Sequence, residues 1–207
     1  MAPELDFSEI SSFCQLGPLP QLVTGFFVQW FRYHFSAQAR IEFPALRSLL
    51  WRKTLGDAQI FIDDIAHWKP EETGHRPAIL VARNDWEPIR RGINDMLMGM
   101  PSSNTEQHYA IQIQGSHTFF GVSNIPAQAE IIGSEIAREV IRFGPAIRRE
   151  LDIKRFLPAG IGKRFEIEEA HQAYAVPVTV AYILEDTWQL VPHTPFLKRF
   201  DIDFFLP

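Results

Sequence analysis

The segment from Tyr174 to Tyr182 constrains the fold more than any other part of the sequence. Its large side chains alternate strictly with smaller ones, which is the period of a β-strand whose two faces meet different surroundings. The chain must therefore contain a sheet. Pro177 lies inside this segment and has no backbone N–H to donate. We expect the strand to lie at a sheet edge or to carry a bulge at that residue.

A helix is predicted upstream of this strand, over residues 127–143. Apolar side chains recur there at spacings of three and four, and charged side chains take the other face. The apolar positions are Ala129, Ile132, Ile136, Val140 and Phe143. Gly144-Pro145 is expected to end the helix, and a further short helix is expected over residues 146–151.

The remaining elements do not alternate regularly between helix and strand. Residues 22–36 predict an aromatic helix, and Pro44 is expected to open a second helix that runs through Trp51. Further strands are predicted at 59–62, 78–81, 108–122, 155–157 and 164–167. This order predicts an α+β protein with a mixed, largely antiparallel β-sheet flanked by helices, not a doubly wound parallel fold.

The length of 207 residues predicts a single structural domain with three parts. Residues 1–58 are expected to form an N-terminal arm and a helical elaboration. Residues 59–192 are expected to form the α/β core domain, and residues 193–207 an extended, aromatic C-terminal arm. A long projecting loop is predicted at 84–107, because this stretch has no clean period and loops of that length are often functional.

Charge and cysteine content argue against several classes of protein. The net charge is −5, whereas nucleic-acid-binding proteins usually carry a strongly basic face, so we expect no sequence-specific nucleic-acid binding. The lone Cys14 cannot form a disulfide within the chain and favours a reducing compartment. The acidic N-terminus predicts no signal peptide. No apolar stretch is long enough for a membrane span, so we expect no membrane partner.

No catalytic motif is recognisable in the sequence. The spacings of phosphate-binding and dinucleotide-binding glycine loops are absent, and the seven histidines form no metal-ligand pair. Ser116 and His117 are adjacent on a predicted strand, so their side chains point to opposite faces and cannot act together as nucleophile and base. We therefore expect no enzyme activity, no catalytic or metal-binding residues and no cofactor.

Two alternatives stay open at this point. Asp63-Asp64 follows a predicted strand, and with a third acid such as Asp85 or Glu87 it could hold Mg²⁺ in a small metal-dependent enzyme. Neighbouring acids at a strand end are more often solvated turn residues. The other alternative is a monomer that binds a peptide through a surface rich in aromatic side chains.

Residues 138–164 are basic in an otherwise acidic chain. Eight arginines and lysines stand there against three acidic residues, and Glu166, Glu168 and Glu169 follow directly. Such polarity can steer one subunit onto the opposite face of another, as in a head-to-tail ring. It also fits a solvated helix face with local ion pairs.

Six segments follow one another in a recognisable order. They are the aromatic helix with Trp30-Phe31, the strand Ile60-Phe61-Ile62 followed by Trp68-Lys69-Pro70, the stretch Arg76-Pro77-Ala78-Ile79-Leu80-Val81, the strand through Gly115-Ser116-His117, the helix 127–143, and Val176-Pro177-Val178-Thr179-Val180-Ala181-Tyr182 leading to Asp186-Thr187-Trp188. This order resembles the tail-terminator (tail-completion) proteins of long-tailed bacteriophages. The resemblance covers residues 22–200, and none of its segments is a catalytic signature.

The resemblance implies a hexameric ring on the head-proximal end of the tail tube, which stops tube growth and receives the head connector. The implied partners are further copies of the chain, the tail tube protein and the head connector or stopper protein. The implied location is the virion, after assembly in the cytoplasm of the bacterial host. Residues expected to contact these partners are Trp86, Arg90, Arg91, Met96, Met98, Met100, Arg148, Arg149, Phe196 and Phe200.

Two parts of the chain are expected to make these contacts. The loop at 84–107 is expected to contact the tube or the connector, and the arm at 193–207 to reach a neighbouring subunit. The region 1–58 makes the chain longer than the smaller terminators. This difference leaves open another neck component, namely the stopper between connector and terminator or the adaptor of a short-tailed phage.

Overall fold

The computed structural model describes residues 14–15, 20–54, 59–69, 76–89, 107–167 and 173–190. Two α-helices are found there, α1 at Pro20–His34 and α2 at Pro126–Glu150. The strands are β1 Cys14–Gln15, β2 Phe61–Asp64, β3 Ala78–Arg83, β4 Glu87–Pro88, β5 Gln107–Ser123, β6 Arg155–Ile161, β7 Phe165–Ile167 and β8 Ala173–Leu190. Short 3-10 turns lie at Gln38–Arg40, Pro44–Leu46 and Ile65–His67.

These strands belong to one sheet in the order β1-β8-β5-β3-β2, with β4 beside β5 and with β6 and β7 beside β8. β2 and β3 are parallel, whereas β1, β6 and β7 are antiparallel to β8, and β3 and β4 are antiparallel to β5. The predicted α+β class, a mixed and largely antiparallel sheet flanked by helices, is confirmed. Residues 84–89 of the loop predicted at 84–107 do not project, because Glu87–Pro88 form β4 and pair with β5. The rest of that loop and the extended termini stay predictions, because 90–106, most of 1–19 and 191–207 lie outside the described residues.

Helix α1 packs on the sheet through an aromatic face. Phe27 and Phe31 are one helical turn apart and fully buried. Their ring centroids lie 4.9 and 5.1 Å from that of Phe119 on β5, both in edge-to-face geometry. Such pairs add about 0.5–1.5 kcal/mol each beyond the burial of apolar area. The aromatic helix predicted within residues 22–36 is therefore confirmed.

Helix α2 lies very close to the sheet because two glycines face each other there. A Cβ placed on Gly133 would stand 2.6 Å from Val176 Cγ1 on β8. A Cβ placed on Gly121 of β5 would stand 2.9 Å from the backbone nitrogen of Gly133. Neither contact leaves room for a side chain, so these two glycines set the distance between helix and sheet.

The predicted end of this helix at Gly144-Pro145 is wrong. Helix α2 continues through Pro145 to Glu150, and the short helix predicted over 146–151 is its last turn. Pro145 removes the hydrogen bond to the carbonyl of Ile141 and crowds that group. Ile147, in the next turn, is fully buried in the core. Its burial offsets part of the cost of keeping the proline inside the helix.

The helix predicted from Pro44 through Trp51 is also wrong. Pro44 opens only the 3-10 turn that ends at Leu46, and the chain then runs without regular structure. Leu46 and Leu49 are buried, so the apolar spacing reflects an irregular segment with one covered side. The backbone N–H of Trp51 donates to the carbonyl of Phe35 (2.9 Å), which holds this segment against the end of α1.

The edge position predicted for Pro177 is wrong, because β8 has β5 on one side and β6 and β7 on the other. The proline nevertheless lies at a gap in the pairing, between Val178, the last residue paired with β6, and Ala175, the first paired with β7. Its carbonyl accepts from the N–H of Gly162 (2.7 Å). The side of Pro177 that would carry a backbone N–H therefore faces the β6–β7 connection. The proline removes no hydrogen bond between paired strands there. The irregular pairing lies in β6, at Pro158/Gly160.

The chain divides into two compact units. The main unit comprises Pro18–Ile89 and Gln112–Glu185 and contains both helices. The second comprises Met1–Gly17, Arg90–Ile111 and Asp186–Pro207. Within the main unit, α1 and the segment after it share one hydrophobic core with β2, β3, β5, α2 and β8. The predicted boundaries at residues 58 and 192 stay predictions.

Candidate interaction site

A groove of about 660 Å³ opens where the last turns of α2 meet β6. Its uncharged lining consists of Ile141, Gly144, Pro145, Ile153, Phe156 and Pro158. Its charged lining consists of Arg148, Arg149, Asp152 and Lys154. Three cations beside an apolar floor suit an acidic segment that also carries large apolar side chains.

The cations of this groove are held in place, and two of them have a carboxylate nearby. Arg148 and Arg149 stand in the last turn of α2, where they complement the helix dipole. Arg148 Nε donates to the carbonyl of Ile153 (3.1 Å), which fixes its stem. Arg149 is 80% exposed and 3.9 Å from Glu150, and Lys154 Nζ lies 3.6 Å from Glu185. Exposed pairs of this kind contribute at most about 1 kcal/mol, so a partner can compete for these charges.

Large apolar side chains are exposed on the strands beside the groove. Leu157 and Ile161 on β6 and Phe165 on β7 are 44–49% exposed, and Ile141 on α2 is 61% exposed. Among the described strands, none pairs with the outer side of β6 or β7. A strand edge with free backbone groups and apolar side chains is a template for binding another chain. We call this surface, formed by β6, β7 and the groove, the β6–β7 edge.

The predicted contact residues are only partly described. Arg148 and Arg149 line the groove. The structure does not bring Trp86 to them, because its half-buried indole N–H donates to the hydroxyl of Tyr182 (3.1 Å) inside the main unit. The other predicted contact residues lie outside the described residues, namely Arg90, Arg91, Met96, Met98, Met100, Phe196 and Phe200.

Asp63 and Asp64 both have structural contacts. They are the last two residues of β2, not residues that follow the strand. Asp63 pairs with Arg32 (2.9 Å), and Asp64 accepts from the N–H of Ala66 (2.9 Å) and so caps a 3-10 turn. A cation so near Asp63 opposes the binding of Mg²⁺. Across the described ranges, no three histidine, cysteine, aspartate or glutamate side chains are placed to hold a metal ion.

A charged cluster that the sequence did not reveal joins the two helices. His34 at the end of α1 lies between two carboxylates of α2, with Nε2 2.7 Å from Glu135 and Nδ1 3.1 Å from Glu139. All three side chains are at least 92% buried. Glu135 also accepts from the backbone N–H groups of Glu42 (2.9 Å) and Phe43 (3.2 Å). This carboxylate therefore ties α1, α2 and the segment after α1 together.

The partners of His34 decide its charge. Burial alone would lower the pKa of His34, but hydrogen bonds to Glu135 and Glu139 and their charges outweigh it and raise the pKa to about 9. Burial would likewise raise the pKa of Glu135, and the hydrogen bonds from His34 and from the two backbone groups lower it instead. The cluster is thus an imidazolium held by carboxylates at neutral pH.

A second buried histidine stands on β5 in a neutral hydrogen-bonded chain. His117 is fully buried, with Nδ1 2.8 Å from the hydroxyl of Tyr182 and Nε2 2.9 Å from that of Thr24. Burial and the nearby charge of Arg83 lower the pKa of His117 to about 4. The chain Trp86 to Tyr182 to His117 to Thr24 gives each ring nitrogen and hydroxyl a partner.

Gly115 makes room for this series of hydrogen bonds. A Cβ at that position would stand 2.7 Å from both Trp86 Nε1 and a ring carbon of Tyr182. Only a glycine lets the indole reach the tyrosine hydroxyl. The predicted alternation of β5 places Gly115 and His117 on the same face, which was a usable signal. Nothing in the local sequence indicated that Tyr182 and Thr24 would meet His117 there.

Comparisons with known proteins add no identification. The chain matches no protein-family model, and a search of curated proteins finds no match to it. Among the residues described, no helix combines the length and the hydropathy that crossing a bilayer requires.

Proposed function

We propose that this chain is a structural protein of the bacteriophage head–tail neck, a tail terminator that forms a ring on the end of the tail tube. The observation that carries the proposal is the β6–β7 edge, which combines an unpaired strand edge, exposed apolar side chains and a basic groove. A ring subunit needs such a surface, because each copy must hold the next one.

The two ends of the sheet are chemically different, which suits head-to-tail association. The β6–β7 edge is apolar and basic. The last strand at the other end of the sheet is β2. Its last two residues are Asp63, which pairs with Arg32, and Asp64, which caps a 3-10 turn. A contact between two unlike surfaces is heterologous, and it closes into a ring when the rotation between subunits permits.

The segments on which the resemblance to tail terminators rests correspond to helices and strands of the structure. The aromatic helix of that pattern is α1, its strands are β2, β3, β5 and β8, and its long helix is α2. A ring made of this chain would bind the tail tube protein on one axial face and the head connector or stopper on the other. It would act through contacts alone, without a cofactor.

Solution mass tests the ring directly. We expect light scattering of the purified protein to give a hexamer-sized particle that weakens as salt rises, because charges contribute to the contacts. The double variant Leu157→Lys/Ile161→Lys should lose the particle, since it places charges on the apolar edge. Ile125→Lys is the matched control, because Ile125 is 59% exposed at the start of α2. A monomer at every concentration and salt level would contradict a ring that forms by itself.

The stopper and the adaptor remain alternatives within the same class. Both are neck proteins whose copies would also contact one another. Electron microscopy of virions that carry a labelled copy of this chain would separate the three positions. Label at the upper end of the tail tube supports the terminator, and label inside the head connector contradicts it.

A further inference from the structure

We propose that the groove between α2 and β6 binds residues 201–206 of a second copy of this chain. The inference rests on the proposed ring and names the contact that would join its subunits. The groove carries Arg148, Arg149 and Lys154 against Asp152, with Glu150 3.9 Å from Arg149 and Glu185 3.6 Å from Lys154. These pairs are weak because they are partly exposed, so an acidic segment can compete for the three cations above the apolar floor.

The segment 201–206 has the complementary chemistry. It reads Asp-Ile-Asp-Phe-Phe-Leu. In an extended chain, successive side chains point in opposite directions, so Asp201 and Asp203 share one side and Ile202 and Phe204 the other. One side would meet the cations at the end of α2, while the other would cover Ile141 and Phe156. Two walls of different chemistry thus match two sides of one short segment.

A competing segment of similar pattern lies near the start of the sequence. Residues 4–7 read Glu-Leu-Asp-Phe and alternate in the same way. They offer one aromatic ring, whereas Phe204 and Phe205 are followed by Leu206 in the other segment. Affinity grows with the apolar area removed from water, so the segment with more large apolar side chains is the better occupant.

Attachment to a second copy explains why the groove and the segment occur in one chain. If each copy places residues 201–206 in the groove of the next, the same contact repeats around the assembly and no surface is left over once it closes. Charge pairs at the rim of such a contact act mainly on association rate and specificity, and the apolar side chains supply most of the affinity.

Zero-length cross-linking of the full-length protein tests this contact. Protein labelled with ¹⁵N is mixed with unlabelled protein before assembly, treated with a carbodiimide and digested for mass spectrometry. The reagent joins an amine only to a carboxylate that it touches. We expect links from Lys154 to Asp201 or Asp203 in mixed heavy and light pairs. The Lys154–Glu185 pair at 3.6 Å is the internal control for reactivity at this lysine.

The outcomes are distinct. Control links without any link to residues 201 or 203 would overturn the inference, as would links found only within one chain. Links from Lys154 to Glu4, Asp6 or Glu9 would assign the groove to the other segment and would also overturn it. A ring seen by light scattering without the predicted link would leave the proposed function in place and remove only this contact.

A charge exchange gives an independent measurement. We expect Arg148→Glu/Arg149→Glu and Asp201→Arg/Asp203→Arg each to weaken self-association about tenfold or more, because attraction becomes repulsion. The chain with all four changes should regain most of the loss. Lys53→Glu is the control, since Lys53 is exposed and lies outside both the groove and the β6–β7 edge. Failure of the combined variant to recover would contradict the contact.

Discussion

His34 and His117 are both buried in the main unit, yet they carry different charges. His34 is 4% exposed and His117 fully buried. The pKa of His34 is raised to about 9, and the pKa of His117 is lowered to about 4. The first lies between two carboxylates, whereas the second lies between two hydroxyl groups. Burial favours the neutral form of both, and the charge of Arg83 acts further on His117, so the neighbouring groups explain the difference.

The two histidines also join α1 to the rest of the fold in two different ways. The His34 cluster fixes α1 to α2 through opposite charges that have lost their water, which makes each partner costly to remove. The His117 chain fixes α1 to the sheet through neutral hydrogen bonds, each of which contributes about 1 kcal/mol net. The same helix is therefore held at its end by charge and near its start, at Thr24, by neutral contacts.

The largest expected effect comes from removing the central carboxylate of the charged cluster. Glu135→Ala should lower the free energy of unfolding by about 3–5 kcal/mol, because the buried imidazolium of His34 loses one of its two carboxylates and the backbone N–H groups of Glu42 and Phe43 lose their acceptor. Urea unfolding measures this loss. Glu130→Ala is the control, because Glu130 is half-exposed on the same helix and lies 3.5 Å from Arg164. Similar losses in both variants would contradict the assigned role of Glu135.

The second prediction concerns pH. The pKa of His34 rises from 6.5 to about 9 on folding, so its stabilisation is complete below pH 6.5 and is lost as the pH rises to 9. The pKa of His117 falls from 6.5 to about 4, so its stabilisation is complete above pH 6.5 and is lost as the pH falls. Each contribution is at most about 3 kcal/mol. Stability should therefore be greatest near pH 6.5.

Proton NMR of the two imidazole rings tests whether His34 causes the loss of stability at high pH and His117 the loss at low pH. The His34 ring should remain protonated through about pH 8 and the His117 ring neutral down to about pH 5, with His117→Gln and His34→Gln identifying the signals. Titration of both buried rings together would remove the contrast between the two clusters.

A smaller effect is expected from removing a hydroxyl group from the neutral hydrogen bonds around His117. Tyr182→Phe removes the hydroxyl that joins Trp86 Nε1 to His117 Nδ1, so a half-buried indole and a buried imidazole lose a partner at a cost of about 1–3 kcal/mol. Thermal or chemical unfolding measures this change. Tyr33→Phe is the control, because Tyr33 is 63% exposed. A loss as large as that of Glu135→Ala would show that neutral and charged contacts do not differ as proposed.

The smallest expected effect comes from replacing a glycine on α1, and it can be compared with the same change on α2. Gly25 on α1 has open space where a Cβ would stand, so Gly25→Ala should stabilise the protein by about 0.5–1 kcal/mol through helix propensity. Gly133→Ala on α2 is the contrasting variant, because its new Cβ would meet Val176 at 2.6 Å. Equal stabilisation by both would mean that α2 does not lie as close to the sheet as the structure indicates.

Much of the fold could be predicted from the sequence because local periodicity reports which face of an element is covered. The alternation from Tyr174 to Tyr182 lies within β8, and the spacing of residues 127–143 lies within α2. The two helix errors have one cause. Pro145 and the stretch after Pro44 were judged by local propensity, whereas contacts distant in sequence decided both.

The candidate interaction site was predictable only in part. The excess of basic residues at 138–164 pointed to Arg148 and Arg149, which line the groove. The exposed apolar residues of β6 and β7 gave no such signal, because exposure is a property of the folded sheet. Asp63 and Asp64 were correctly placed near a strand end, but their partners Arg32 and Ala66 could not be read from spacing.

The sequence by itself determined the periods of the helices and strands, the absence of an internal disulfide and the clustering of basic residues, since each depends on neighbours along the chain. Only the tertiary structure decided which histidines are buried and which of them is charged. His34 meets Glu135 across 101 residues, and His117 meets Thr24 across 93. The charge of an imidazole depends on the groups that surround it, and folding chooses these groups from distant parts of the chain.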